Sequence, residues 1–319
     1  MMALQEFLLD PASLGLRAPA SWQPLGCINL DACPASLRIG PLPPFPLVGI
    51  GDPAHPLARN LDAVIEPPVS TEQLIDAIVR NPHAAGVAAQ LLRSADGLPY
   101  EHALTLESIA FGLLQGSAEH AAWLAAHRPV THPLAAGRVG VERRPAELLI
   151  VLDRPQARNA IDVAMRDSLL EALTVARLDP EVRCIKLRAT GAAFSAGGDL
   201  HEFGTTRDPA TAHVLRSRSL PARLLAECRD RLDVHVQGAC IGAGLEMAAF
   251  ATKLTAAPDA WFQLPELAMG LIPGAGGCVS VPRRIGRQRA ALMILSGACI
   301  DAETARRWGL IDAIGSAQP

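Results

Sequence analysis

The chain has 319 residues, half of them hydrophobic, with 29 basic against 32 acidic side chains and a formal charge of −3. That is enough apolar material for one large domain or two, and no basic run marks a nucleic-acid footprint. Seven cysteines without a Cys-x-x-Cys pair fit neither a disulfide framework nor a zinc centre, and read as small buried hydrophobes.

The first residues carry Glu6 and Asp10 where a secretory leader would be basic, and no stretch of ~18 apolar residues is free of charge and proline. A cytoplasmic chain without a membrane partner is expected. Residues 1–60 form a proline-rich segment, including Pro41, Pro43, Pro44 and Pro46, where missing backbone donors should keep regular elements short. Residues 47–50 and 61–65 are candidate strands. From Ser70 the apolar spacing turns helical: Ser70 or Thr71 can cap a helix carrying Leu74, Ile75, Ile78 and Val79. Further helices are expected at 84–93, 101–115 and 117–126. Pro129, Pro133, Gly137 and Gly140 then read as a loop or linker.

A second rhythm begins near residue 146. Strand-like runs at 148–152, 182–187, 233–238 and 253–257 alternate with helical ones at 162–177, 209–231, 243–251, 286–296 and 301–308. Such alternation indicates an α/β core with substantially parallel strands.

Common catalytic signatures fail. There is no His-Glu-x-x-His, and Ser195 lacks the leading glycine of a hydrolase elbow. Gly242-Ala-Gly244 lacks the third small residue of a dinucleotide fingerprint, and the nine histidines show no ligand spacing. No metal and no redox cofactor is expected. Two segments stand apart. Residues 192–200 and 238–246 each follow a predicted strand and contain glycine turns, the second running into an apolar helix. Such turns leave N–H groups unpaired, and two aimed at one point make an oxyanion hole. The plainer alternative is that the glycines merely permit tight turns.

Glu246 sits among Leu245, Met247, Ala248, Ala249 and Phe250, and Glu266 between Leu264-Pro265 and Leu267. A carboxylate in apolar company is costly unless partnered, which marks both as candidates for acid–base chemistry. A solvated glutamate at a helix start is the alternative for Glu246.

Together these motifs resemble the crotonase superfamily, the enoyl-CoA hydratase/isomerase family, over residues 148–314. The likeness rests on residues 152–160, 193–199, 238–246, 264–266, 270–277 and 309–312. It implies a β-β-α spiral core over 141–319 that binds an acyl-CoA thioester. Coenzyme A would enter as part of the substrate, with no separate cofactor. It further implies that the Gly198 and Ala243 amides hold the thioester oxygen, Ala243 replacing the middle glycine of the usual Gly-Gly-Gly turn. Glu246 would act as base and Glu266 as acid. Ala196, Gly197, Asp199, Leu200 and Gly242 would line the thioester pocket, and Arg158, Asn159 and Ala160 its CoA side. Retention of both glutamates favours hydration of a 2-enoyl-CoA. Double-bond isomerisation, acyl-CoA hydrolysis and a non-catalytic acyl-CoA-binding role are the alternatives. The family resemblance also implies a homotrimer or dimer of trimers.

Residues 61–140 resemble the family's C-terminal tail, through 61–65, 71–74, 81–82, 89–93, 98–99, 104–107 and 123–129. The implied order is rearranged, with tail-like helices ahead of the core. Gln90 stands where relatives often place a lysine, which implies either reduced affinity for a CoA phosphate or Arg93 in that role.

Overall fold

The computed structural model describes residues 4–10, 23–127 and 134–316, so Pro129 and Pro133 of the expected linker lie outside the described residues. A small parallel sheet comes first, from β1 (Gly26–Asn29), β2 (Leu47–Ile50) and β3 (Ala63–Val64), in the order β1-β2-β3. β2 and β3 fall within the runs expected to be strands. Asp62 ties this sheet to the rest of the chain. Its buried carboxylate accepts from Leu47 N at 2.8 Å, from Arg93 Nε at 2.7 Å, and pairs with Arg287 at 3.4 Å. Arg93 also donates to Pro43 O at 2.6 Å and Phe45 O at 3.0 Å, and Gln90 to Pro44 O at 3.4 Å. The proline-rich loop has carbonyls without strand partners, and it consumes these donors. Arg93 is therefore spent inside the fold, which corrects its expected role at a CoA phosphate.

Four helices come next: α1 (Thr71–Arg80), α2 (Pro82–Ala95), α3 (Tyr100–Gln115) and α4 (Ala118–Ala126). Ser70 caps α1 by accepting from Gln73 N at 3.2 Å, and Ser117 caps α4 by accepting from His120 N at 3.1 Å. Leu74, Ile75 and Ile78 of α1 are buried, in keeping with their spacing.

The second region runs β4 (Arg138–Arg144), β5 (Glu147–Asp153), α5 (Val163–Leu178), β6 (Cys184–Ala189), α6 (Pro209–Ser219), α7 (Ala222–Cys228) and β7 (Leu232–Val236). It continues with β8 (Ala239–Ile241), α8 (Ala243–Ala248), β9 (Lys253–Ala256), β10 (Trp261–Gln263), α9 (Gly277–Ile285), α10 (Arg287–Ser296), β11 (Ile300–Asp301), α11 (Ala302–Trp308) and β12 (Ala313–Ile314). One sheet has the order β12-β9-β7-β6-β5-β4, all neighbours parallel except β4 with β5. A second sheet, β11-β10-β8, stands beside it.

Three expectations change here. Gly140, expected in a linker, lies within β4, an exposed edge strand whose polar sequence hides it. The single helix expected over 209–231 is two, broken at Leu220-Pro221 because proline cannot donate to the preceding turn. The cysteines are only partly as expected: Cys27, Cys228, Cys240 and Cys278 are buried, Cys33 and Cys184 partly so, and Cys299 is exposed.

The helices ahead of the core close over it within the same chain. α1 and α2 lie on α10, α3 lies on α6, α7 and α9, and α4 rests on the turn at Glu266–Met269. His120 Nδ1 meets Met269 O there at 2.9 Å. One hydrophobic core therefore contains Leu74, Ile78 and Leu104 together with Leu245, Met247 and Phe262. Among the described residues no helix is long and apolar enough to cross a membrane.

Candidate active site

Two amides are brought together by β8. Ser195 N donates to Ala239 O and Ile241 N to Ser195 O, each at 3.0 Å, so the chain leaving Ser195 runs beside the chain leaving β8. The turn is held from its other side by Ile161, whose N donates to Gly197 O at 2.8 Å and whose O accepts from Asp199 N at 3.0 Å. Gly198 and Ala243 emerge from these pairings into one cavity. Among the described residues neither amide has a hydrogen-bond acceptor. Ala243 is the first residue of α8, where an N–H has no intrahelical partner.

Ser195 itself is structural. Its buried hydroxyl donates to Asn159 O at 2.8 Å and accepts from Gly197 N at 3.1 Å.

Glu246 and Glu266 line the same cavity of about 220 Å³, with 2% and 7% of their surfaces exposed. Glu246 Oε2 accepts from Ala275 N at 2.6 Å and Gly277 N at 2.8 Å. A Cβ at Gly277 would come within 2.6 Å of Glu246 Cγ, so glycine is needed for that approach. Burial pushes the Glu246 carboxyl up to about 7, against the pull of the Gly277, Ala275 and Gly274 amides. Glu266 is raised well above the carboxylate range, first by burial and then by the charge of Glu246. Its Oε2 is buried and has no partner among the described residues. Gly242 adopts φ +48°, and a Cβ there would meet Glu266 Oε1 at 2.6 Å, so this turn also requires glycine.

A third carboxyl escapes the sequence reading. Glu107 of α3 is buried, with Oε1 accepting from Gly276 N at 2.7 Å and Oε2 from Cys278 N at 2.8 Å. Burial raises its pKa well above the usual range, and the charge of Glu246 adds to that. The signal is present: Glu107 lies among Leu104, Leu106, Ile109, Ala110 and Phe111, the same apolar company that singles out Glu246.

The other expected residues divide. Asp199 lines the cavity, but its carboxylate is held by Arg154 Nη1 at 2.7 Å and by His201 N at 3.0 Å. Ala196, Gly197 and Gly242 shape the turns behind the cavity wall, and Leu200 is exposed beyond it. Arg158, Asn159 and Ala160 do not line this cavity. The Asn159 carboxamide is consumed internally, accepting from Arg154 N at 2.7 Å and donating to Thr190 O at 2.8 Å and Ala193 O at 2.9 Å. It fixes the loop. Among the described residues no group of three potential metal ligands is found.

The arrangement is two amides without acceptors on a cavity that also holds two carboxyls, one pushed up to about 7 and one raised well above the ordinary range. Such a site can polarise a carbonyl oxygen while moving a proton to or from a neighbouring carbon.

A family model described as enoyl-CoA hydratase/isomerase matches residues 144–318. The 2,3-dehydroadipyl-CoA hydratase of Escherichia coli (strain K12) is 36% identical over 174 residues, which is 54% of this chain and 68% of that protein. The mevalonyl-coenzyme A hydratase of Beauveria bassiana (strain ARSEF 2860) is 34% identical over 54% of this chain and 64% of its own length. Among solved structures, enoyl-CoA hydratase from Thermoplasma volcanium GSS1 superposes with a TM-score of 0.51 at 33% identity, covering 56% of this chain and 72% of that one.

Proposed function

The chain belongs to the enoyl-CoA hydratase/isomerase family, and on that footing we propose that it adds water reversibly across the α,β double bond of a 2-enoyl-CoA thioester. The observation that carries this reading is the convergence of Gly198, Ala243, Glu246 and Glu266 on one cavity.

In this reading the thioester oxygen accepts hydrogen bonds from the Gly198 and Ala243 amides. Negative charge grows on that oxygen as water attacks Cβ, and each preorganised donor lowers the barrier by about 3 kcal/mol. Glu246, able to ionise near neutrality, takes a proton from the attacking water. Glu266, held protonated by burial, delivers its proton to Cα. The products are the 3-hydroxyacyl thioester, a protonated Glu246 and an ionised Glu266. Exchange with solvent after release restores the starting protonation. Two carboxyls with different titration points give one site both an acid and a base.

We also read α1–α4 as standing where the family's tail helices close the site. Glu107 supports this, because a residue of α3 holds the same turn that holds Glu246.

A panel of 2-enoyl-, 3-enoyl- and saturated acyl-CoA thioesters, followed by mass spectrometry, tests the reaction class. Gain of one water by the 2-enoyl thioesters is the expected result. A shifted double bond without water, or release of free CoA, would overturn hydration in favour of isomerisation or hydrolysis.

A further inference from the structure

The cavity contains a cation that the chemistry above leaves unused. Arg216 of α6 lines it beside Phe111 and Gln115 of α3. Its guanidinium donates to Gln115 Oε1 at 2.6 Å, Ser108 O at 2.9 Å and Ser108 Oγ at 3.3 Å, all neutral acceptors. Its Cζ stands 4.5 Å from the centre of the Phe111 ring. A guanidinium has five N–H groups, so one hydrogen remains on each terminal nitrogen. Burial lowers the Arg216 pKa to about 10, opposed by the charge of Glu107. Glu107 does not neutralise it by contact, since both Glu107 oxygens are engaged by the Gly276 and Cys278 amides.

The rest of the wall shows that this lack of a counter-ion is local. Arg166, which also lines the cavity, faces Glu202 at 3.7 Å and Asp167 at 3.5 Å. Phe111, against the Arg216 guanidinium, and Leu220 and Pro221 are apolar members of the same lining, and the hydrogen-bond partners of Arg216 are Gln115 and Ser108. A partly desolvated guanidinium with a hydrogen left on each terminal nitrogen, on the same cavity as the two amides and two carboxyls, matches an acyl chain with an anion at its tip. The planar fork of arginine suits a carboxylate bidentately.

We propose that the acyl group bound here ends in a carboxylate, so that the ligand is a CoA monothioester of a dicarboxylic acid with Arg216 as its receptor. This rests on the acyl-CoA reading above, and it names the substrate class for the same site.

Calorimetric titration of the full chain with CoA, hexanoyl-CoA and its ω-carboxylated counterpart, hexanedioyl-CoA, tests it. The carboxylated thioester should bind about tenfold more tightly than hexanoyl-CoA. That preference should fall below about threefold in Arg216→Met and survive in part in Arg216→Lys. Equal binding of the two thioesters by the wild-type chain would overturn the proposal. So would an Arg216→Met variant that weakens CoA and both thioesters by one common factor, since Arg216 would then be meeting a CoA phosphate. Arg216 joins α6 to α3, so if the methionine variant does not fold, the wild-type preference and the lysine variant decide. Assaying the matching 2-enoyl thioesters separates the two readings. A retained binding preference without water uptake sinks hydration alone, whereas equal water uptake on both thioesters sinks the carboxylate receptor alone.

Discussion

Glu107 and Glu246 grip alternate amides of a single turn. Glu246 takes Ala275 and Gly277, and Glu107 takes Gly276 and Cys278, so four consecutive N–H groups at the start of α9 are shared between two buried carboxyls. One carboxyl comes from the core helix α8 and the other from α3, ahead of the core in the chain. The helical region thus sets the position of a candidate catalytic group rather than merely covering it.

Glu107→Ala should leave the Gly276 and Cys278 amides buried without acceptors. Each costs about 1–3 kcal/mol, so the melting temperature should fall, and turnover should fall with it as the Glu246 turn loosens. Glu107→Gln retains one acceptor and should lie between wild type and alanine on both readouts. A Glu107→Ala variant with wild-type stability and turnover would remove this positioning role.

Stability should decline as pH rises through the range where the buried carboxyls lose protons. Glu107, Glu246 and Glu266 all have raised pKa values in the folded chain, against an ordinary value of 4.5. Between that value and the folded one, the native state holds protons that the unfolded state has released, so raising pH favours unfolding. For Glu246 the window runs from 4.5 to about 7, and a fully shifted group contributes a slope of up to ~1.4 kcal/mol per pH unit. Thermal melts across this window should show a falling midpoint, with a shallower slope in Glu246→Gln. A midpoint that climbs instead would reverse the sign and contradict the burial argument.

Ala243→Pro removes one of the two amide donors at a position that helices tolerate, the first residue of α8. Turnover should drop about 10²–10³-fold with the melting temperature little changed. Ala243→Gly keeps the donor and should keep turnover within about threefold. Equal activity of the proline and glycine variants would mean that this N–H does not hold the reacting oxygen.

Asp62→Ala should be the most damaging change outside the cavity. It strands Arg93 and Arg287, both largely buried, and frees the Leu47 amide. Breaking such a pair from one side costs about 3–5 kcal/mol. Chemical denaturation measures this directly, and a loss below about 1 kcal/mol would show the network to be idle.

The sequence is most legible where glycine and buried charge coincide. The turns at Gly198 and Ala243 and the carboxyls Glu246 and Glu266 stand out because each breaks a local rule, and the fold places all four on one cavity. Glu107 breaks the same rule but lies inside a strongly helical pattern, where a glutamate passes for surface. Arg216 sits on α6, a helix of weak periodicity with Val214 and Leu215 exposed, and nothing local distinguishes it. The Asn159 carboxamide is the internal brace of its own loop, a role that its place in the sequence does not reveal. The edge strand β4 and helix α9 escape for ordinary reasons. β4 sets only Val139 and Val141 among a glycine and charged residues, and α9 opens on glycine and contains Pro282.

The most direct test tracks the absorbance of the conjugated enoyl-thioester band after adding purified chain. The wild-type chain should bleach the band by adding water, and Glu246→Gln and Glu266→Gln should each slow that at least ~10²-fold while still binding the thioester. Bleaching at the wild-type rate by either variant, or no bleaching by the wild-type chain with any 2-enoyl-CoA, would contradict the two-carboxyl account.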